Sequence, residues 1–196
     1  MENEINQARS ILYGLIRSFF DSPPDDIKLK GWKDILLQLS GNTGYLDLDL
    51  AVENLLKKLK SLDLNQIGAE YYELFENPFS SNRIQLCASF YIDGRLFGQS
   101  LVKLRQLLYN LNLGRSKSFA ESEDNFVFLL DTMTYLIQKG DEYQDLLAQK
   151  ELFYSYLYPC SKGIAKKIQE LSGFPFYKGV SKFIDGYFLL EEHLFP

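Results

Sequence analysis

The sequence predicts an all-α fold, a single helical domain of about nine helices, and three observations predict it. Apolar residues recur at three- and four-residue spacing along almost the whole chain, the signature of helices with one buried face. Gly114, Gly140 and Gly173 each follow the end of such a stretch, where glycine closes a helix in the left-handed conformation at little cost. The 196 residues are 46% hydrophobic and 24% charged, an ordinary globular composition that excludes a disordered chain. A chain of this length buries about 70% of its unfolded surface and needs no disulfide or metal to hold together.

The elements follow in order. Ile5, Ala8, Ile11, Leu12, Leu15, Ile16, Phe19 and Phe20 form one stripe, ended by Pro23-Pro24. Asp25 or Asp26 caps a second helix reaching Leu39, with Gly41 as its stop. Asp49 begins a third, through Val52, Leu55, Leu56 and Leu59. Asp63 or Asn65 caps a fourth, through Ile67, Tyr71, Leu74 and Phe75, before Pro78. Residues 77–98 lack helical period and predict a structured loop, with a short strand pair over 86–92 and 95–97 as the other reading. Helices resume over 99–113, 121–139, 141–158 (closed near Pro159), 161–171 and 177–194. The organisation is therefore an N-terminal half over 1–76, a loop or hinge over 77–98 and a C-terminal half over 99–196.

Charge narrows the function. Lys and Arg number 21 against 26 Asp and Glu, a net charge of −5, and the arginines are scattered, so no nucleic-acid-binding face is expected. No apolar run approaches the roughly 20 residues needed to span a bilayer. The N-terminus is acidic and polar where a secretory leader is basic and then apolar, and Cys87 and Cys160 are too few for a disulfide scaffold. Together these predict a reduced, cytoplasmic protein. Aromatic residues are abundant at 15%, and most belong to a core or a groove lining.

Catalytic machinery is scarce, and no catalytic residue, metal site or cofactor is expected. The single histidine, His193, stands beside Glu191 and Glu192 near the end of the chain and reads as a surface residue. Gly41–Gly44 lacks the spacing and the Lys-Ser/Thr of a phosphate loop, and Gly114-Arg115-Ser116-Lys117-Ser118 reads as a helix stop with a basic loop. Neither cysteine has a C-x-x-C partner, so both read as buried, inert thiols.

Three segments stand out. The first runs from Glu70 through Tyr71, Tyr72, Glu73, Phe75 and Glu76 to Asn77-Pro78. The second holds Ser89-Phe90-Tyr91 and Leu96-Phe97-Gly98. The third is Glu121-Ser122-Glu123-Asp124-Asn125, followed by Phe126, Leu129, Leu130 and Met133. On pattern alone its acidic residues complement a helix macrodipole in the first turn. A surface carboxylate role stays open beside that one.

In this serial order the three segments resemble the TorD/DmsD (NarJ-like) family of cytoplasmic chaperones for molybdenum-containing redox enzymes. That family pairs a Tyr-x-x-Leu-Phe helix end with a loop, a Ser-Val-Tyr segment, a Leu-Phe-Gly element and an acidic Asp-His helix start. A later Phe-x-x-x-His-Leu-x-x-Trp element looks like Phe153 to Cys160 here, with Tyr156 and Cys160 at its histidine and tryptophan positions. Asn125 stands where the family has histidine after the aspartate, so this chain departs from the pattern there. An amide donates and accepts hydrogen bonds but carries no charge near neutral pH.

The resemblance implies a binding protein without turnover, which holds the apo form of a molybdopterin oxidoreductase during cofactor insertion. It also implies a grip on that enzyme's twin-arginine leader. Such a leader is an arginine pair followed by an apolar segment, and a groove with aromatic walls and acidic rims complements both parts. Tyr71, Tyr72, Phe90 and Tyr91 are expected at its walls and Glu70, Glu73, Glu76, Glu123 and Asp124 at its rim, with Phe75, Ser89 and Asn125 also expected among the residues that bind leader or client. The alternatives from other classes are a nucleotide-binding switch, an all-α enzyme, or a structural subunit of an oxidoreductase complex. The hinge predicts some homodimer formed by exchange of halves between chains.

Overall fold

Ten α-helices and two π-helical segments account for the architecture in the computed structural model, which describes residues 2–117, 119–140 and 143–195. They are α1 (Glu2–Ser18), α2 (Asp26–Leu39), α3 (Leu46–Ser61), α4 (Leu64–Tyr71), α5 (Ala88–Ile92), α6 (Gln99–Asn110), α7 (Phe126–Lys139), α8 (Tyr143–Leu152), α9 (Tyr158–Glu170) and α10 (Pro175–Glu192). The π segments, Tyr72–Glu76 and Phe153–Leu157, continue α4 and α8. No strand forms among the described residues; one isolated antiparallel bridge joins Cys87 to Asn125. The fold is all-α, as the periodicity predicts.

Local signals place most helix ends. Asp25 accepts the Lys28 N–H at 2.7 Å, and Asp63 and Gln66 form a reciprocal capping box. Gly41, Gly140 and Gly173 take the positive φ expected of helix stops. Other ends differ from expectation. The third helix begins at Leu46, three residues before Asp49, and α10 begins at Pro175, a residue suited to a first helical position. The helix expected to reach Leu113 stops at Asn110, because Asn112 and not Gly114 makes the left-handed turn. The helix expected from Glu121 begins at Phe126, capped by Asn125, so the acidic run precedes the helix. Helical structure continues across Pro159, where the wider π-turn has already interrupted the α-type ladder that proline cannot join. The segment 77–98 contains the short helix α5 in place of a continuous loop. Ser118 of the basic loop and Asp141, the expected start of the following helix, lie outside the described residues.

The chain falls into two compact units that interleave in sequence: Met1–Arg17 with Gln85–Gly163, and Ser18–Ile84 with Ile164–Pro196. In the second unit α3 lies along α10, with α2 on α3 and α4 on α10. A Cβ at Gly186 would come within 3.2 Å of the Leu48 backbone, so glycine there permits the close approach of the two helices. An aromatic cluster fills this unit. Trp32 stacks on Phe176 at 5.5 Å, and Phe19 meets Trp32 at 4.9 Å.

In the first unit α7 packs on α8 and its π segment, and that segment also meets α5. Leu104, Phe126, Leu129, Leu130, Met133 and Leu157 are buried there. Arg17 pairs with Asp131 at 2.5 Å. None of the described helices is long and apolar enough to cross a membrane.

Candidate functional site

The first sequence segment lies in the second unit, and the other two lie in the first. Glu70 is buried, not at a rim. Its carboxylate accepts the N–H of Phe176 at 3.0 Å and of Tyr177 at 3.1 Å, capping α10 from a position over a hundred residues away. Burial raises its pKa, against those two bonds and the charge of Lys58. Tyr71 is also interior: its hydroxyl donates to the Phe20 carbonyl, and burial, with Glu76 and Asp21 nearby, pushes the phenol to about 12. Phe75 packs against Tyr177 at 5.1 Å and Tyr71 at 5.2 Å. Tyr72 and Glu76 face outward, and Glu73 accepts a bond from the Asn77 amide at 2.9 Å. Tyr72, Glu73, Phe75 and Glu76 all belong to the first π segment, a rare turn that recurs at functional sites.

The second and third segments are joined to each other. Ala88 N–H donates to Asp124 O and Phe126 N–H to Leu86 O, both at 2.8 Å, on either side of the Cys87–Asn125 bridge. Asp124 is 1% exposed, so it is not available as a surface carboxylate. It accepts the Ser89 N–H at 3.0 Å in the first turn of α5, and the Ser122 hydroxyl donates to its other oxygen. Asn125 is buried and caps α7 through the Val127 N–H at 2.9 Å. Ser89 is buried too, and its hydroxyl accepts the Phe97 N–H at 3.1 Å.

Glu123 takes two bonds from Arg105, at 2.8 and 3.0 Å. Burial pushes its pKa up, but the Arg105 bond and the nearby charges of Arg105 and Arg115 leave it lowered. Phe90 is half-buried beside Tyr91. Tyr91 donates to the Gln85 carbonyl at 2.6 Å, and its ring occupies the space a Cβ on Gly163 would need. Burial raises the pKa of both Cys87 and Cys160, which fits inert thiols. Among the described residues no three His, Cys, Asp or Glu side chains gather as a metal ion would require.

A cavity of about 490 Å³ opens in the same unit, between α5, α6 and the second π segment. Asp93 stands at its edge, accepting the Ser100 N–H at 3.0 Å and the Ser100 hydroxyl at 2.6 Å. Those bonds lower its pKa. A Cβ on Gly98 would collide with the Asp93 side chain, so the Leu96-Phe97-Gly98 element sets where that carboxylate lies. Phe97 itself is held at φ +56°, a conformation unusual for a non-glycine residue. Tyr156 stands out in the sequence only as a departure from a motif, and neither Asp93 nor Glu151 is among the expected site residues; all three line this cavity.

Residues 45–159, more than half of the chain, match the model of the family described as nitrate reductase delta subunit. The chain belongs to that family. All three segments and the Phe153–Cys160 element fall within or at the edge of the matched residues, so the NarJ-like resemblance holds. A relative of this chain, an uncharacterized protein of Haemophilus influenzae, is 28% identical over 186 residues, covering 92% of this chain and 90% of its own. A crystal structure from Archaeoglobus fulgidus, of a protein described as a redox enzyme maturation protein, shares the fold. It superposes with a TM-score of 0.52 at 18% identity, over 89% of this chain and 91% of that one.

Proposed function

We propose that this chain is a cytoplasmic maturation chaperone that binds the apo form of a molybdopterin oxidoreductase, its twin-arginine leader, or both, while cofactor is inserted. It acts by binding, without turnover. The observation that carries the reading is membership of the nitrate reductase delta subunit family over residues 45–159. The redox-maturation description of a protein with the same fold supports it. The test is co-purification with a candidate apo-molybdoenzyme subunit, expressed with and without its leader. Capture of the apo subunit and not of the cofactor-loaded enzyme is the expected result. Equal capture of both forms would make the chain a structural subunit, and capture of neither would remove the reading.

The segment 77–98 acts as a hinge in this proposal, since one of the three points at which the chain passes between the compact units, Ile84 to Gln85, lies within it. Exchange of the halves on either side of it between two chains then gives some dimer beside monomer. Size-exclusion chromatography across a concentration series should show both, and limited proteolysis should nick first within 77–85. A strictly monomeric protein that resists cleavage there excludes the hinge.

A further inference from the structure

Three groups in the α5–α6 cavity are not explained by the packing around them. Tyr156 is 4% exposed, yet its hydroxyl makes no hydrogen bond among the described residues. Its surroundings are acidic: after burial itself, Glu151 and then Asp93 do most to raise the pKa of the phenol. Glu151 forms no ion pair or hydrogen bond among the described residues, and Asp93 is held ionised at the edge by Ser100. The cation in the lining, Lys103, also makes no ion pair within 4 Å. The Tyr156 hydroxyl opens into the cavity, where a ligand or water completes it.

We infer that this cavity is a cation subsite that receives the guanidinium of an arginine side chain in a bound peptide. Asp93 and Glu151 face the charge, and the Tyr156 oxygen accepts one of its N–H bonds. Two carboxylates against a single lysine select a cation over an anion. Three acceptors spread around a cavity of about 490 Å³ suit a planar, multi-donor guanidinium better than a compact ammonium, which is also harder to dehydrate. The π-turn over Phe153–Leu157 carries Tyr156 and Ser155 into the lining. The inference rests on the leader-binding reading for the identity of the peptide, but not for the chemistry of the pocket. It also relocates the arginine contact, because Asp124, expected at the rim, is buried and bonded within the fold.

The test has two arms on the full chain. In the first, calorimetry measures a twin-arginine peptide and its Gln-Gln variant on the wild type, Glu151→Gln, Tyr156→Phe and Lys103→Gln. Expected losses are about fivefold for Glu151→Gln and about threefold for Tyr156→Phe, as for partly exposed charge-assisted bonds. Lys103→Gln should bind about twofold tighter, since a like charge leaves the pocket. The Gln-Gln peptide should bind weakly and not distinguish the proteins. In the second arm, N-acetyl-arginine amide is titrated while NMR follows Ser155 and Tyr156, with saturable shifts expected in the wild type and lost in Glu151→Gln. If the peptide binds wild type and all three variants equally, the subsite is overturned and the leader reading stands. If the amide shifts these resonances but the leader does not bind, the subsite stands and the leader reading falls. If neither ligand binds, both fall.

Discussion

Glu70 and Asp93 perform the same local task in the two units. Each is a carboxylate from outside a helix that accepts N–H bonds in that helix's first turn, Glu70 for α10 and Asp93 for α6. Their environments set them apart. Glu70 is 9% exposed, and burial outweighs its two bonds, so its pKa is raised. Asp93 lies at the edge of an open cavity, its bonds to Ser100 prevail, and its pKa is lowered. The same cap therefore serves as a closed structural joint in one unit and as a charge kept available to a ligand in the other. What decides is access to water, since desolvation penalises the charged form.

The largest effect should come from breaking the closed joint. Glu70→Ala leaves two buried N–H groups at the start of α10 without acceptors, and should cost about 3 kcal/mol, read by urea unfolding. Glu70→Gln keeps one acceptor and should lose about half as much. A loss under 0.5 kcal/mol for the alanine variant would show that water replaces the carboxylate and that the joint is open after all.

Gly163→Ala sharpens the comparison within the first unit. The new methyl would meet the ring of Tyr91, which its hydroxyl bond to Gln85 holds in place. Overpacking of this kind costs about 2 kcal/mol, and the companion Tyr91→Ala in the same background should recover part of it. An unchanged melting temperature in Gly163→Ala would mean the ring moves freely.

Asn125→Ala removes the α7 cap and should cost about 1 kcal/mol, with leader-peptide affinity unchanged in calorimetry. A large loss of affinity at wild-type stability would instead give the amide a direct role in binding.

The smallest effect is the most direct reading of the comparison, because the two carboxylates should respond to pH with opposite sign. A raised folded pKa means the native state holds its proton more tightly than the unfolded chain. Glu70's contribution is therefore full below the ordinary carboxylate range, about 4, and falls as pH rises through the raised value. Asp93's contribution is present above that range and is lost as pH falls through its lowered value. In unfolding measured from pH 3 to 7, the advantage of wild type over Glu70→Gln should shrink with rising pH. The advantage over Asp93→Asn should grow. Slopes of the same sign would end the distinction between the two sites.

Much of the fold is legible in the sequence because its signals act within one helical turn. Asp25 caps a helix whose N–H is three residues away, Asp63 and Gln66 close a box over the same spacing, and Gly41, Gly140 and Gly173 stop helices through their own φ. Apolar periodicity likewise needs only neighbours on one face, so the all-α class was determined by the chain alone. The fate of the charged and aromatic motifs was not. Glu70, Asp93 and Asp124 reach N–H groups 106, 7 and 35 residues away, and no local pattern says which carboxylate will be buried against such a partner. The π-turns that carry Tyr72–Glu76 and Tyr156 have no composition of their own either. Helix formation depends on residues a few positions apart, whereas burial and access to water depend on what the rest of the chain brings alongside. The tertiary structure alone therefore decided which acidic residues close the fold and which face the cavity.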